Sequence, residues 1–228
     1  MNFNILTGRE NNSLVDFEQS IVHKYIISDF LKLRELAKKE IDADIQIISS
    51  YRSFEKQKQI WNLKASGQRT LFDKDEKELN FKSLSHSQII KAITLWSAIP
   101  GASRHHWGTD IDIFDANQLK KEYVKLLASE CTGLGPCAKL HTWLDTKILE
   151  KKSFGFFRPY DTERGGVGVE KWHLSYSPIS TDYINHYTLD FFKKNLDASD
   201  IILQEQLIEE SKNLFENLVL NIDPSPYI

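Results

Sequence analysis

Apolar residues early in the chain recur at spacings of three and four. Val15, Phe17, Ile21, Val22, Tyr25, Ile26, Phe30, Leu33 and Leu36 follow this rhythm, which predicts one or two amphipathic helices over residues 14–39. The period then changes. Asp44-Ile-Gln-Ile-Ile-Ser-Ser50 is β-branched and alternating, as a strand is. Ser53 stands as the N-cap of a helix over residues 54–63, with Glu55 and Gln57 in its first turns. Residues 67–80 are charged and unpatterned, which predicts a surface loop. Ile89, Ile93 and Trp96 restore helical spacing over residues 85–98, until Pro100-Gly101 stops it. Residues 109–114 alternate Asp110 and Asp112 with Ile111 and Ile113, a half-buried strand. Helices are expected at 116–129 and 138–151, and a strand at 171–176. Leu203, Leu207, Ile208, Leu214, Phe215, Leu218 and Val219 make a wide apolar stripe, which predicts one long helix over 199–221. Helices and short strands mix without regular alternation, so the class expected is α+β, in a single domain over 1–228.

Composition removes several functions. The chain has 228 residues, 41% of them hydrophobic, enough to bury a core. Lys and Arg number 29 against 32 Asp and Glu, a net charge of -3. Nucleic acid and anionic membrane are therefore not expected partners, because both are bound through a basic surplus. No apolar run is long enough to span a bilayer. The first ten residues lack a basic region followed by an apolar run, so a cytoplasmic location is expected, or a periplasmic one if a leader has been removed. Cys131 and Cys137 bracket a five-residue stretch; free thiols, a disulfide and a metal pair with His141 are all open readings. Gly165-Gly-Val-Gly168 lacks the Lys-Ser/Thr of a phosphate loop and is expected to give flexibility beside the site. Trp61, Trp96 and Trp143 sit at helical spacing and are expected in the core. The oligomeric state is not legible.

The chemistry concentrates in Ser103-Arg-His-His-Trp-Gly-Thr-Asp-Ile-Asp112. Gly108 permits a sharp bend between the histidines and the strand. With Ile111 and Ile113 on one face, Asp110 and Asp112 share the other. A histidine before the turn and an aspartate after it can converge on one cation, but a stable zinc site needs a third ligand. Glu170-Lys-Trp-His173 offers one. Positions three apart on a strand face opposite ways, so a bend at Lys171 or Trp172 is needed to bring Glu170 beside a metal that His173 ligates. Two imidazoles and a carboxylate suit zinc better than magnesium or calcium. Spacing alone leaves a second reading open, in which the aspartates are a solvated strand edge and His173 packs on Trp172.

Three blocks in order, Tyr51-Arg-Ser-x-x-x-Gln57, Ser103-x-His105-x-x-Gly108-x-x-x-Asp112 and Glu170-x-Trp172-His173, resemble the VanY-type D-alanyl-D-alanine carboxypeptidases. These belong to the zinc metallopeptidase superfamily that includes lysostaphin-like enzymes and the hedgehog domain. The resemblance covers about residues 45–177. It implies a small, mainly antiparallel sheet carrying one zinc ion, with His105, Asp112 and His173 as ligands and Glu170 as the catalytic base. Arg52 aligns with an arginine that contacts the substrate, steadying charge at the scissile carbonyl or gripping a carboxylate. Gln57 and Ser103 align with positions that hold the substrate's terminal residue. The substrates implied are peptidoglycan stem peptides or muropeptides, cut by a D,D- or L,D-carboxypeptidase. An endopeptidase of the phage endolysin type and a non-catalytic zinc-bearing binding domain are the alternatives. Asp110, Lys171 and Leu174-Ser-Tyr176 depart from the family pattern, and they bear on substrate preference.

Overall fold

A computed structural model of the chain describes residues 2–227. A short helix α1 (Phe3–Leu6) precedes strands β1 (Leu14–Phe17) and β2 (Ser20–His23), which pair as an antiparallel hairpin in the register Leu14↔His23 and Phe17↔Ser20. The helices expected from residue 14 onward are therefore replaced by a hairpin as far as residue 23. Two four-residue strands around a tight turn satisfy the same apolar spacing, and the turn is made at Glu18, whose φ is 53°. Helix α2 (Ile27–Ile41) follows, burying Phe30, Leu33 and Ala37, and ends at Asp42 in the left-handed region.

Strand β3 (Ile45–Ser49) leads into α3 (Phe54–Ala65), whose N-terminus is capped by the Ser53 hydroxyl accepting from the Lys56 amide at 3.2 Å. Helix α4 (His86–Trp96) begins with a reciprocal capping box between Ser85 and Gln88. Strand β4 (Asp110–Asp115) comes next. No full helix spans 116–129: the stretch holds a 3-10 turn at Lys121–Tyr123 and the short α5 (Ala128–Cys131). The Asp115 carboxylate accepts from the Asn117 amide and so diverts the chain into an Asx turn, and Leu126 takes a φ of 57°. Helix α6 (Ala138–Leu149), strands β5 (Phe156–Phe157) and β6 (His173–Tyr176), and helices α7 (Ser177–His186) and α8 (Leu189–Asp197) complete the sheet and its cover.

The C-terminal stripe is not one long helix. It is delivered as α9 (Gln204–Glu209), α10 (Ser211–Leu214) and a π-helical turn over Phe215–Val219. Leu203, with φ 67°, delays the start, and the Leu220 amide reaches back to the Phe215 carbonyl. These breaks bend the stripe so that Leu207, Leu214 and Phe215 are all buried against the same core.

The second sheet runs β3-β4-β6-β5, antiparallel throughout. Its β4 is buried on both faces rather than half-buried. Ile111 and Ile113 join Ile45, Leu174, Phe30, Leu33 and Leu144 in one apolar core. A second core, with Trp61, Ile90, Ile93, Phe192 and Phe215, packs α3, α4 and α8 with the C-terminal segment. The opposite face of β4 carries the buried Asp110 and Asp112.

Candidate metal centre and its cavity

Register explains how the distant blocks meet. Asp112 of β4 lies opposite His173 of β6, and Asp110 lies opposite Ser175. Because Asp110 and Asp112 share a face, their carboxylates flank the His173 ring. Nε2 of His173 is 3.0 Å from Asp110 Oδ1, while Nδ1 is 3.4 Å from Asp112 Oδ1. Asp110 can only accept, so His173 donates from Nε2, and when the charged ring gives up one proton it is Nδ1 that is left with a lone pair. The expected bend in the Glu170 block is present: the His173 amide donates to the Glu170 carbonyl at 3.0 Å. It leaves Glu170 Oε2 3.2 Å from His173 Nδ1. The Arg158 guanidinium braces the bend from outside, donating to the Lys171 carbonyl at 2.7 Å and pairing with Asp145.

His105 comes from a 3-10 turn over Arg104–Trp107 that ends at Gly108. Gly108 has a φ of 69°, and a Cβ there would sit 2.4 Å from the Leu14 side chain, so only glycine makes this bend at low cost. His105 Nε2 lies 3.4 Å from Asp112 Oδ2, and its ring centroid is 4.8 Å from that of His173. One ligand atom each from His105, Asp112 and His173 falls within 4.8 Å of the others; among the described residues this is the one such group. The fit to a divalent metal is chemical as well as geometric. Asp112 Oδ1 and His173 Nδ1 are buried without a hydrogen-bond partner, a costly state that a cation relieves. Burial works against charging His173, yet Asp110, Glu170 and Asp112 outweigh it and push its pKa up to about 10. A place that holds a proton this firmly is built for positive charge.

Arg52 and the turn are tied together. The Arg52 amide donates to the His105 carbonyl at 3.1 Å, and His106 Nδ1 donates to the Arg52 carbonyl. His106 Nε2 accepts from the Gly101 amide at 3.0 Å, and burial drives the ring's pKa down to about 3, so this neutral imidazole is a structural strut. Residues 6–11 close over the turn. Trp107 Nε1 donates to the Leu6 carbonyl at 3.1 Å, and a Cβ on Gly8 would come within 2.3 Å of His106.

A cavity of about 380 Å³ opens above these three side chains, His105, Asp112 and His173, and Arg52, Ser103, Tyr160 and Glu170 line it. Gln57, expected to hold the substrate's terminal residue, does not reach it. Gln57 is 0% exposed, and both ends of its amide are engaged, accepting from Arg52 at 2.9 Å and donating to the Ala98 carbonyl at 2.6 Å. It positions Arg52. Trp96 lines the cavity rather than the core, with Nε1 donating to the Asp73 carbonyl. Gly166 and Gly168 are packing points rather than flexible ones, since a Cβ would meet the Asn217 carbonyl and the Trp96 ring at 2.1 and 2.7 Å. Cys131 and Cys137 are buried free thiols.

The sequence pattern of the D-alanyl-D-alanine carboxypeptidase family (VanY) matches residues 19–179. The chain belongs to this family. An uncharacterized protein of Haemophilus influenzae is 27% identical over 125 residues, which is 54% of this chain and 93% of the relative. Among solved structures, the chain is similar to a variant of the vancomycin-resistance D,D-pentapeptidase VanY in complex with Zn(II). The TM-score is 0.51 at 23% identity, over 76% of this chain and 84% of that one. It is also similar to the LdcB LD-carboxypeptidase, with a TM-score of 0.53 at 19% identity, over 92% of this chain and 79% of that one. These likenesses establish the VanY-type fold, and family membership makes the chain a peptide hydrolase of the carboxypeptidase class.

Two residues that sequence reasoning passed over complete the site. Arg104, buried, donates from Nε to Asp110 Oδ1 at 2.8 Å and from a terminal nitrogen to Ser175. Two aspartates on one buried strand require a nearby cation, and that requirement could have pointed to it. Lys64 lines the cavity from α3. It stands seven positions after Gln57, on the same helical face, and that spacing was its available signal.

Proposed function

We propose that this protein is a zinc carboxypeptidase that releases C-terminal D-alanine from peptidoglycan stem peptides, as a D,D- or an L,D-carboxypeptidase. The observation that carries the reading is the convergence of His105, Asp112 and His173 beneath a cavity that also holds Glu170 and Arg52. Two imidazoles and one carboxylate are the donor set zinc favours in catalytic sites, and the similar vancomycin-resistance enzyme was solved with Zn(II).

When bound, zinc supplies Lewis acidity, lowering the pKa of a water molecule toward about 7 and polarising a carbonyl. Glu170 Oε2, 3.2 Å from His173 Nδ1, stands beside the ligands without being one of them. In this reading it takes a proton from the attacking water and returns it to the departing amine nitrogen of D-alanine as the C–N bond breaks. Arg52, held in place by Gln57, Ser49 and the His105–His106 turn, donates to the oxygen on which negative charge grows, or to the free carboxylate of the terminal residue. Asp110 keeps His173 in the tautomer that leaves Nδ1 free.

Incubation with defined pentapeptide and tetrapeptide muropeptides, followed by mass spectrometry, tests the reading. Release of a single D-alanine from at least one of them, abolished by chelator and lowered ~100-fold or more in Glu170→Gln with metal content intact, is the expected result. Cleavage within the peptide without free D-alanine would overturn it.

A further inference from the structure

The cavity is electrically lopsided. Its histidines and the acids Asp112 and Glu170 lie at the ligand end, whereas Arg52, Lys64 and Arg69 also line it. Two other basic side chains of the region are neutralised: Arg104 pairs with Asp110, and Arg158 with Asp145. Arg52 and Lys64 have only uncharged partners, Gln57 and Ser49 for the first and Ser97 Oγ at 2.8 Å for the second. Burial, together with Arg69 and Arg52 nearby, brings the Lys64 pKa down to about 8. Glu76 lines the cavity too and Glu170 acts on Lys64 at longer range, but neither carboxylate is in direct contact with the Arg52 or Lys64 head group, which leaves both free to take a ligand's anion.

More than one cation faces the cavity. Gln57, which holds Arg52, and Lys64 lie two turns apart on α3, roughly 10 Å along its axis. A peptide that carries an acidic side chain on the residue beside its terminal one presents two anions to this set of cations, the terminal carboxylate and the side-chain one. We propose that Lys64, with Arg69, forms a second anion subsite that recognises a free side-chain carboxylate on the residue preceding the scissile bond. The inference rests on the carboxypeptidase reading and refines its substrate class, to peptides that carry a dicarboxylic residue at that position. Lys64 is a specificity-determining residue here and takes no part in proton transfer.

The test uses two peptides ending in D-alanine that differ only in whether the side-chain carboxylate of the preceding residue is free or amidated. The native enzyme is expected to show a KM about 10- to 100-fold lower for the free acid, the range of a charge-assisted contact. Lys64→Met should shrink that ratio to near unity, and Lys64→Arg should retain most of it. Turnover of both peptides with equal KM by the native enzyme overturns the subsite, and this comparison needs no variant. Discrimination that survives in a folded Lys64→Met protein overturns the assignment to Lys64. Failure to release D-alanine from either peptide instead defeats the carboxypeptidase reading itself.

Discussion

Asp110 is the residue whose removal separates a working metal centre from a merely assembled one. Its Oδ1 accepts from Arg104 Nε at 2.8 Å and faces His173 Nε2 at 3.0 Å, and its Oδ2 accepts from the Thr109 hydroxyl at 2.8 Å. Burial alone would raise its pKa, but Arg104 and the His173 contact hold the carboxyl well below the usual range. Asp110→Asn keeps the shape and the Oδ1 acceptor while deleting the charge. Arg104, with only 4% of its side chain exposed, is then left as a buried cation without an anion. Breaking such a pair costs about 3–5 kcal/mol. The retained amide acceptor places this variant near ~3 kcal/mol, a large share of a domain stability of about 5–15 kcal/mol. The second effect is on His173, whose Nε2–H loses a charged acceptor, so metal affinity should fall about 10- to 100-fold. Equilibrium urea unfolding of the metal-free protein reads the first number, and a chelator competition titration reads the second. A stability change under ~0.5 kcal/mol together with unaltered affinity would refute the coupling of Arg104, Asp110 and His173.

Metal binding should expel a proton. Without a metal, His173 is charged up to pH about 10, and a ligand must offer its lone pair. At pH 7 the titration should therefore release about one proton per metal, and affinity should weaken as pH falls; calorimetry in two buffers of different ionisation enthalpy reads the release, and none detected would contradict it. Gln57→Leu removes the acceptor of Arg52 and the donor to the Ala98 carbonyl. It should lower kcat/KM about 10-fold while leaving metal content unchanged; loss of the metal would instead place Gln57 in support of the ligands.

The chemistry was far more legible in the sequence than the architecture around it. A metal ligand must be one of a few residue types, and Gly108 and the period of two in residues 109–114 fixed how His105 and Asp112 could approach each other. The bend before His173 followed from the need to place Glu170 beside it. Gln57 went astray because its type shows hydrogen-bonding capacity but not direction, and the side chain turns inward to Arg52. The hairpin over residues 14–23 was hidden by apolar spacing that fits either period. The bent C-terminal stripe was hidden for another reason: amphipathicity records which side is buried, not whether the buried surface is straight. Helices α7 and α8 gave only cues in hindsight, Pro178 in the first turn of one and the Thr188 cap of the other.

The clasp of residues 6–11 over the histidine turn has a practical reach. Leu6, Gly8 and Asn11 all precede residue 19, where the family pattern begins, yet they brace the Trp107 and His106 backbone and rings. Anyone trimming the gene to its recognisable stretch would cut away the latch that keeps His105 aimed. In this chain the firmness of the ion's seat is thus partly decided by a segment that the family's shared pattern leaves out.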